Sequence, residues 1–156
     1  MKIINVNSKE YILEYTMEAS LYRDCVEKTT GYMMKTSDKD RMASLEGIIS
    51  SIGDLPQTAL TMFYAGLMEH QSDEIKTEKE AKALLKQYFA EHKEEETGNF
   101  FGMMMLMIEC MMDDGFFKQI GLEQMLEAPE TEVQTGKVTK IPQDHKKKQT
   151  TKAGEK

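Results

Sequence analysis

Thirteen consecutive residues, Phe100-Phe101-Gly102-Met103-Met104-Met105-Leu106-Met107-Ile108-Glu109-Cys110-Met111-Met112, carry one charge between them, at Glu109. A run this short cannot span a bilayer, which takes about 20 apolar residues. It reads as a helix from about Phe100 to Met112, closed by Asp113-Asp114-Gly115. A helix that is apolar all round must either lie central among other elements or show an apolar face to a partner. The two readings are compatible if one face is core and the other binds. Composition favours some share of binding, because six of the chain's 14 methionines fall between Met103 and Met112. Leucine, isoleucine and valine fix one arrangement of a core, whereas the flexible methionine side chain repacks around many apolar sequences. The candidate partner-binding residues are Phe100, Phe101, Met103, Met104, Met107 and Met111.

Such a helix needs a body to sit on. Lys2 to Val6 and Tyr11 to Thr16 are β-rich segments joined by Asn7-Ser8-Lys9, which has turn chemistry, so a hairpin is expected at the start. A lone hairpin is marginal in water and must lie on another element, a helix being the natural support. The remainder reads as short helices. The first runs from a Thr16 cap to about Thr30, with Met17, Leu21, Cys25 and Val26 on one face and Gly31 as its stop. A second starts at Ser37 or Asp38, carries Met42, Leu45, Ile49 and Ile52 at spacings of three and four, and closes at Gly53. Asp54-Leu55-Pro56 signals a new start, since proline in a first turn lacks an N–H that would be unpaired anyway. That third helix carries Leu60, Phe63, Tyr64, Leu67 and Met68. Thr77 and Glu80 make a capping-box pattern ahead of Ala81, Leu84, Leu85, Tyr88 and Phe89. Thr97-Gly98-Asn99 breaks the pattern before the methionine-rich helix, and a short amphipathic piece, Phe116 to Leu126, follows it. The expected fold is mainly α: a bundle of five to six short helices with an N-terminal β-hairpin and a disordered C-terminal tail.

Charge divides the chain at the same place. Residues 129–156 hold seven lysines and four acids, while residues 1–128 hold 13 basic and 23 acidic residues. The expected organisation is a helical domain over 1–128 and a basic tail over 129–156 too poor in apolar residues to order itself. An acidic body repels phosphate backbones, which argues against specific nucleic-acid binding. The N-terminal Met1-Lys2-Ile3-Ile4-Asn5 turns polar too soon for a secretory signal. Two cysteines suit free thiols in a reducing compartment better than a disulfide framework.

Catalytic signatures are weak. His70, His92 and His145 are isolated, and neither Cys25 nor Cys110 has a partner at metal-ligand spacing. No phosphate loop, G-x-S-x-G or H-E-x-x-H occurs. Cys25 falls on an apolar helix face, where a thiol serves as a small hydrophobe. The reading is a non-enzyme without cofactor or metal.

The hairpin Ile4-Asn5-Val6-Asn7-Ser8-Lys9-Glu10-Tyr11-Ile12-Leu13-Glu14-Tyr15-Thr16, entering a helix through Met17-Glu18-Ala19, resembles the opening of tail assembly chaperones from phages and prophages of Gram-positive bacteria with long non-contractile tails. Asp54-Leu55-Pro56, Tyr64-Ala65-Gly66-Leu67-Met68-Glu69-His70 and Thr77-Glu78-Lys79-Glu80-Ala81 leading to Leu84-Leu85-Lys86-Gln87-Tyr88-Phe89 are similar to that family in order and spacing. The resemblance covers roughly residues 2–93. It departs at Ser8, where glycine is expected in the turn, and does not reach the methionine-rich helix or the tail.

This resemblance implies a protein that binds the long, hydrophobic, helical tape measure protein and keeps it soluble. It would be displaced as tail tube protein polymerises. In many such phages a ribosomal frameshift yields a longer product whose extra domain is thought to recruit tube subunits, which makes tail tube protein a second implied partner. The implied location is the bacterial host cytoplasm, with the protein absent from the mature virion, and a homo-oligomer is compatible with the same features. The alternative from another class is a small acidic phage or prophage regulator that occludes a host factor.

Overall fold

The computed structural model of the chain describes residues 1–123. The tail expected over 129–156, and the end of the piece expected to reach Leu126, lie outside the described residues. The fold is mainly helical with an N-terminal two-stranded antiparallel hairpin, as the sequence predicts. Strands β1 (Lys2–Val6) and β2 (Lys9–Leu13) pair with Ile4 opposite Tyr11 and Val6 opposite Lys9. That register leaves Asn7-Ser8 as a two-residue loop, with φ of 51° and 61°. Two left-handed residues in such a loop match the twist of the strands. Ser8 therefore occupies the position that glycine would fill, without changing the turn.

Helices α1 (Met17–Leu21) and α2 (Arg23–Ser37) replace the single first helix expected from Thr16 to Thr30. The chain turns extended at Tyr22, which shifts the helical phase, so Met17 and Leu21 face solvent while Cys25 is buried. Nor does Gly31 stop α2, which continues one and a half turns to Ser37. Nothing lies within 4 Å of a Cβ built on Gly31. Gly31→Ala is therefore expected to raise stability by about 0.5–1 kcal/mol, read as a higher urea midpoint at unchanged slope.

Asp38 caps the short α3 (Lys39–Met42), accepting from the Asp40 and Arg41 N–H groups. Ser44 then caps α4, which runs unbroken from Leu45 to Gln71. The break expected at Gly53 and the new start expected at Asp54-Leu55-Pro56 do not occur. Asp54 is held sideways by Lys35 of α2 at 2.6 Å rather than serving as a cap. Pro56 removes one donor from the ladder beside Ile52, which faces water that can hydrate the carbonyl left over. The two turns after Pro56 are buried nearly all round, with Ala59, Leu60, Met62, Phe63, Ala65, Gly66 and Leu67 in the core. Tertiary burial on that scale outweighs local stop signals.

α4 is thus the central element, with α2, α5 (Glu78–Glu91), α6 (Phe100–Asp113) and β2 around it. α5 begins with the capping box predicted from Thr77 and Glu80. The hairpin lies on α4 through Glu14 N–H donating to the Gly66 carbonyl at 2.9 Å. Tyr15, fully buried, donates its hydroxyl to the Met62 carbonyl at 3.0 Å and meets Phe116 of α7 (Phe116–Gln119) edge-on.

The end of α5 clamps the other strand. Glu91 accepts the Asn7 N–H at 2.9 Å, and His92 stacks on Tyr88 while bonding the Asn5 carbonyl at 3.0 Å and Glu95 at 2.8 Å. Both partners of the His92 ring are acceptors, so the doubly protonated ring satisfies both. Glu95 first, and the Asn5 carbonyl second, hold its pKa above the ordinary 6.5. Because the folded-state pKa is raised, the stabilisation is complete below about pH 6.5 and is lost as pH rises through the folded value. Wild type should therefore lose more stability than His92→Gln between pH 5.5 and pH 8.5, compared as denaturant midpoints. Equal losses would remove His92 from the clamp.

Candidate functional site: the two faces of the methionine-rich helix

α6 is built by the loop before it. Asn99 caps the helix by accepting the Gly102 N–H at 3.0 Å, and its amide donates to the Glu96 carbonyl at 3.2 Å. Gly102 has to be glycine for this turn to close, since a Cβ there would stand 1.7 Å from the Glu96 carbonyl oxygen. At the far end, Asp114 accepts the Tyr15 N–H at 2.9 Å and pairs with the Met1 ammonium. Desolvation acts to raise the Asp114 pKa, but the ammonium, the Tyr15 N–H and the Cys110 thiol outweigh it and hold the carboxyl below its usual range. An acid at a helix C-terminus opposes the helix dipole; here it joins α6 to the chain's start and to the hairpin exit.

Between those ends the helix has two apolar faces. Met103, Met104, Met107, Cys110 and Met111 are buried, α6 packing on α4 and α7, with Cys110 Sγ donating to the Leu13 carbonyl at 3.3 Å. The opposite face carries Phe101 (60% exposed), Met105 (49%), half-buried Ile108 and Met112 (60%). Positions 101, 105, 108 and 112 are spaced by four, three and four, which aligns them in one stripe. Leu106 and Gly102 flank it, and Glu96 and Glu109 stand at the rim of a shallow depression of about 690 Å³.

This corrects the location of the expected binding residues. Of the six, Met103, Met104, Met107 and Met111 are core side chains that no partner reaches while the fold is closed. The methionine run hid this, because residues of one type on both faces carry no periodicity. Phe101 does lie on the outer stripe, and Met105 and Met112 belong with it although the sequence reading omitted them. Phe100 points to a different surface. Its ring meets Phe89 edge-on, centroids 5.0 Å apart, in an open groove of about 480 Å³ formed by α4, α5 and the start of α6.

The side chains available for chemistry are engaged structurally. Cys25 is buried beside Thr29, and burial pushes its thiol up to about 12. Burial and then the Asp114 carboxylate push Cys110 up to about 11. Neither thiol is an available nucleophile at neutral pH, and neither hydrogen-bonds a histidine among the described residues. His70 pairs with Glu14. No cluster of three or more metal-ligating side chains occurs among the described residues, and no helix there is long and apolar enough to cross a membrane. No protein-family model, curated protein or solved structure matches this chain.

Proposed function

We propose that this chain is a binding chaperone for apolar helical segments, acting on a phage tape measure protein before tail tube polymerises around it. The observation that carries the reading is the outer stripe of α6. Phe101, Met105, Ile108 and Met112 keep an apolar surface in water on a helix whose other face is fully committed to the core. Exposed apolar patches of this kind mark interaction sites. Thioethers suit a surface that must accept many different segments of one long partner in turn, because they repack at little cost. A patch of four side chains gives weak, reversible contact, since affinity grows from well-filled central pockets and not from area alone. Reversibility is what a holder displaced by polymerisation requires. The acidic balance of residues 1–128 keeps a protein with an open apolar face dispersed. The resemblance of residues 2–93 to tail assembly chaperones supplies the partner's identity.

The test is co-expression with the tape measure protein encoded downstream. Wild type should hold that protein in the soluble fraction. The combined Phe101→Ser, Met105→Ser and Met112→Ser variant, with an unchanged circular dichroism spectrum and urea midpoint, should leave most of it in the pellet. Equal solubility with the variant, or no solubilisation by wild type, would overturn the reading.

A further inference from the structure

The apolar face predicted for the segment around Met42, Leu45, Ile49 and Ile52 is not in the core. Leu45 is 74% exposed, Ile49 60% and Ile52 61%. Positions 45, 49, 52, 56 and 60 of α4 fall on one helical face. The strip therefore runs from Leu45 through Ile49, Ile52 and Pro56 into the groove floored by Leu60, Leu85, Phe89 and Phe100. The fifteen rises from Leu45 to Leu60 make this surface about 22 Å long, the length of four helical turns.

Charge says what fits it. Among the described residues the charged side chains lining the groove are Lys82 and Lys86, one turn apart on α5, and Lys79 continues their line at a spacing of three. Glu78, one turn before Lys82, is turned to Thr61, which donates to it at 2.8 Å. None of the three lysines is in an ion pair among the described residues. In a chain of net charge −7, a cationic edge along an apolar groove is a local reversal of sign. We infer that the groove takes a partner's amphipathic helix of about four turns. Apolar residues would lie in the groove and carboxylates along one flank, facing Lys82 and Lys86. The inference deepens the chaperone reading, on which it rests, by naming the class of segment preferred. It uses a surface separate from the α6 stripe. The chain's own 129–156 segment, with seven lysines against four acids, has the wrong sign for this edge.

Two synthetic helical peptides of about 15 residues test this, identical in their leucine stripe and differing only in carrying glutamates or lysines along one flank. Binding of the labelled peptides to the full chain is followed by fluorescence anisotropy at low salt. Wild type should bind the glutamate peptide roughly tenfold more tightly than the lysine peptide. Lys82→Glu with Lys86→Glu, both exposed positions, should reverse the order with an unchanged circular dichroism spectrum. Equal binding of both peptides, or binding of neither, would overturn the inference. So would sedimentation showing that the free chain is a dimer dispersed by the same two changes, which would give the groove to a second copy. The serine variant of the α6 stripe separates the two claims. A retained glutamate preference beside lost tape measure solubility keeps both assignments. Tape measure solubility maintained without any peptide preference removes the groove alone. A glutamate preference in a wild type that fails to solubilise the tape measure protein removes the stripe's proposed role alone.

Discussion

Met107→Ala should destabilise the fold by about 2–5 kcal/mol, while Met105→Ala, two residues earlier on the same helix, should change stability by no more than about 0.5 kcal/mol. The contrast follows from burial. Met107 is fully enclosed and its truncation leaves a cavity that neighbours fill only in part, whereas Met105 is half exposed and leaves none. Domains of this size are stable by only about 5–15 kcal/mol, so pairing Met107→Ala with Met103→Ala should take the protein close to unfolding at room temperature. Urea unfolding monitored by circular dichroism reads all three variants. Similar costs for Met105→Ala and Met107→Ala would mean that α6 does not have the two faces described.

Gly66→Val should be comparably severe, at roughly 3 kcal/mol or more, with Gly66→Ala costing about 1–3 kcal/mol. A Cβ at position 66 would meet the Tyr15 ring at 2.7 Å and Leu13 at 3.2 Å. The ring has little freedom to give way, because its hydroxyl is anchored on Met62 and its edge on Phe116. Helix propensity alone favours alanine over glycine by about 1 kcal/mol, so the sign of the effect is diagnostic. At Gly31, where space is open, alanine should stabilise; at Gly66 it should destabilise. A stabilising Gly66→Ala would show that the hairpin does not lie on α4 as closely as described.

Much of this architecture was legible in the residues, and the failures have identifiable causes. The hairpin and the Thr77–Glu80 box are local devices, complete within a few residues, and both occur where expected. The breaks read at Gly53 and Pro56 are also local signals, but there long-range burial decides the outcome; α2 passes Gly31 with no buried residue beyond it. α4 continues because its second half is enclosed on nearly every side, a fact that no window of neighbouring residues contains. The face of Leu45, Ile49 and Ile52 had core periodicity and is exposed. Periodicity reports that a face is apolar, not whether anything in the same chain covers it. At α6 the difficulty was the reverse. Phe100 and Phe101, adjacent in sequence, read as one patch and stand on two surfaces, and the core methionines are indistinguishable by type from Met105 and Met112. Asp114, unfavourable at a helix end when read alone, is explained by the Cys110 thiol one turn before it and by Tyr15 and Met1, 99 and 113 residues away.

α6 is core on one side and, as proposed, a partner surface on the other, and methionine oxidation footprinting tests both halves together. Brief peroxide treatment of the free protein should oxidise Met105 and Met112 as readily as the exposed Met17 and Met34, and leave Met103, Met104, Met107 and Met111 intact. Adding the tape measure protein should protect Met105 and Met112 while Met34 continues to react. Oxidation of the four enclosed methionines at the same rate as Met105, or undiminished oxidation of Met105 and Met112 in the complex, would contradict the account.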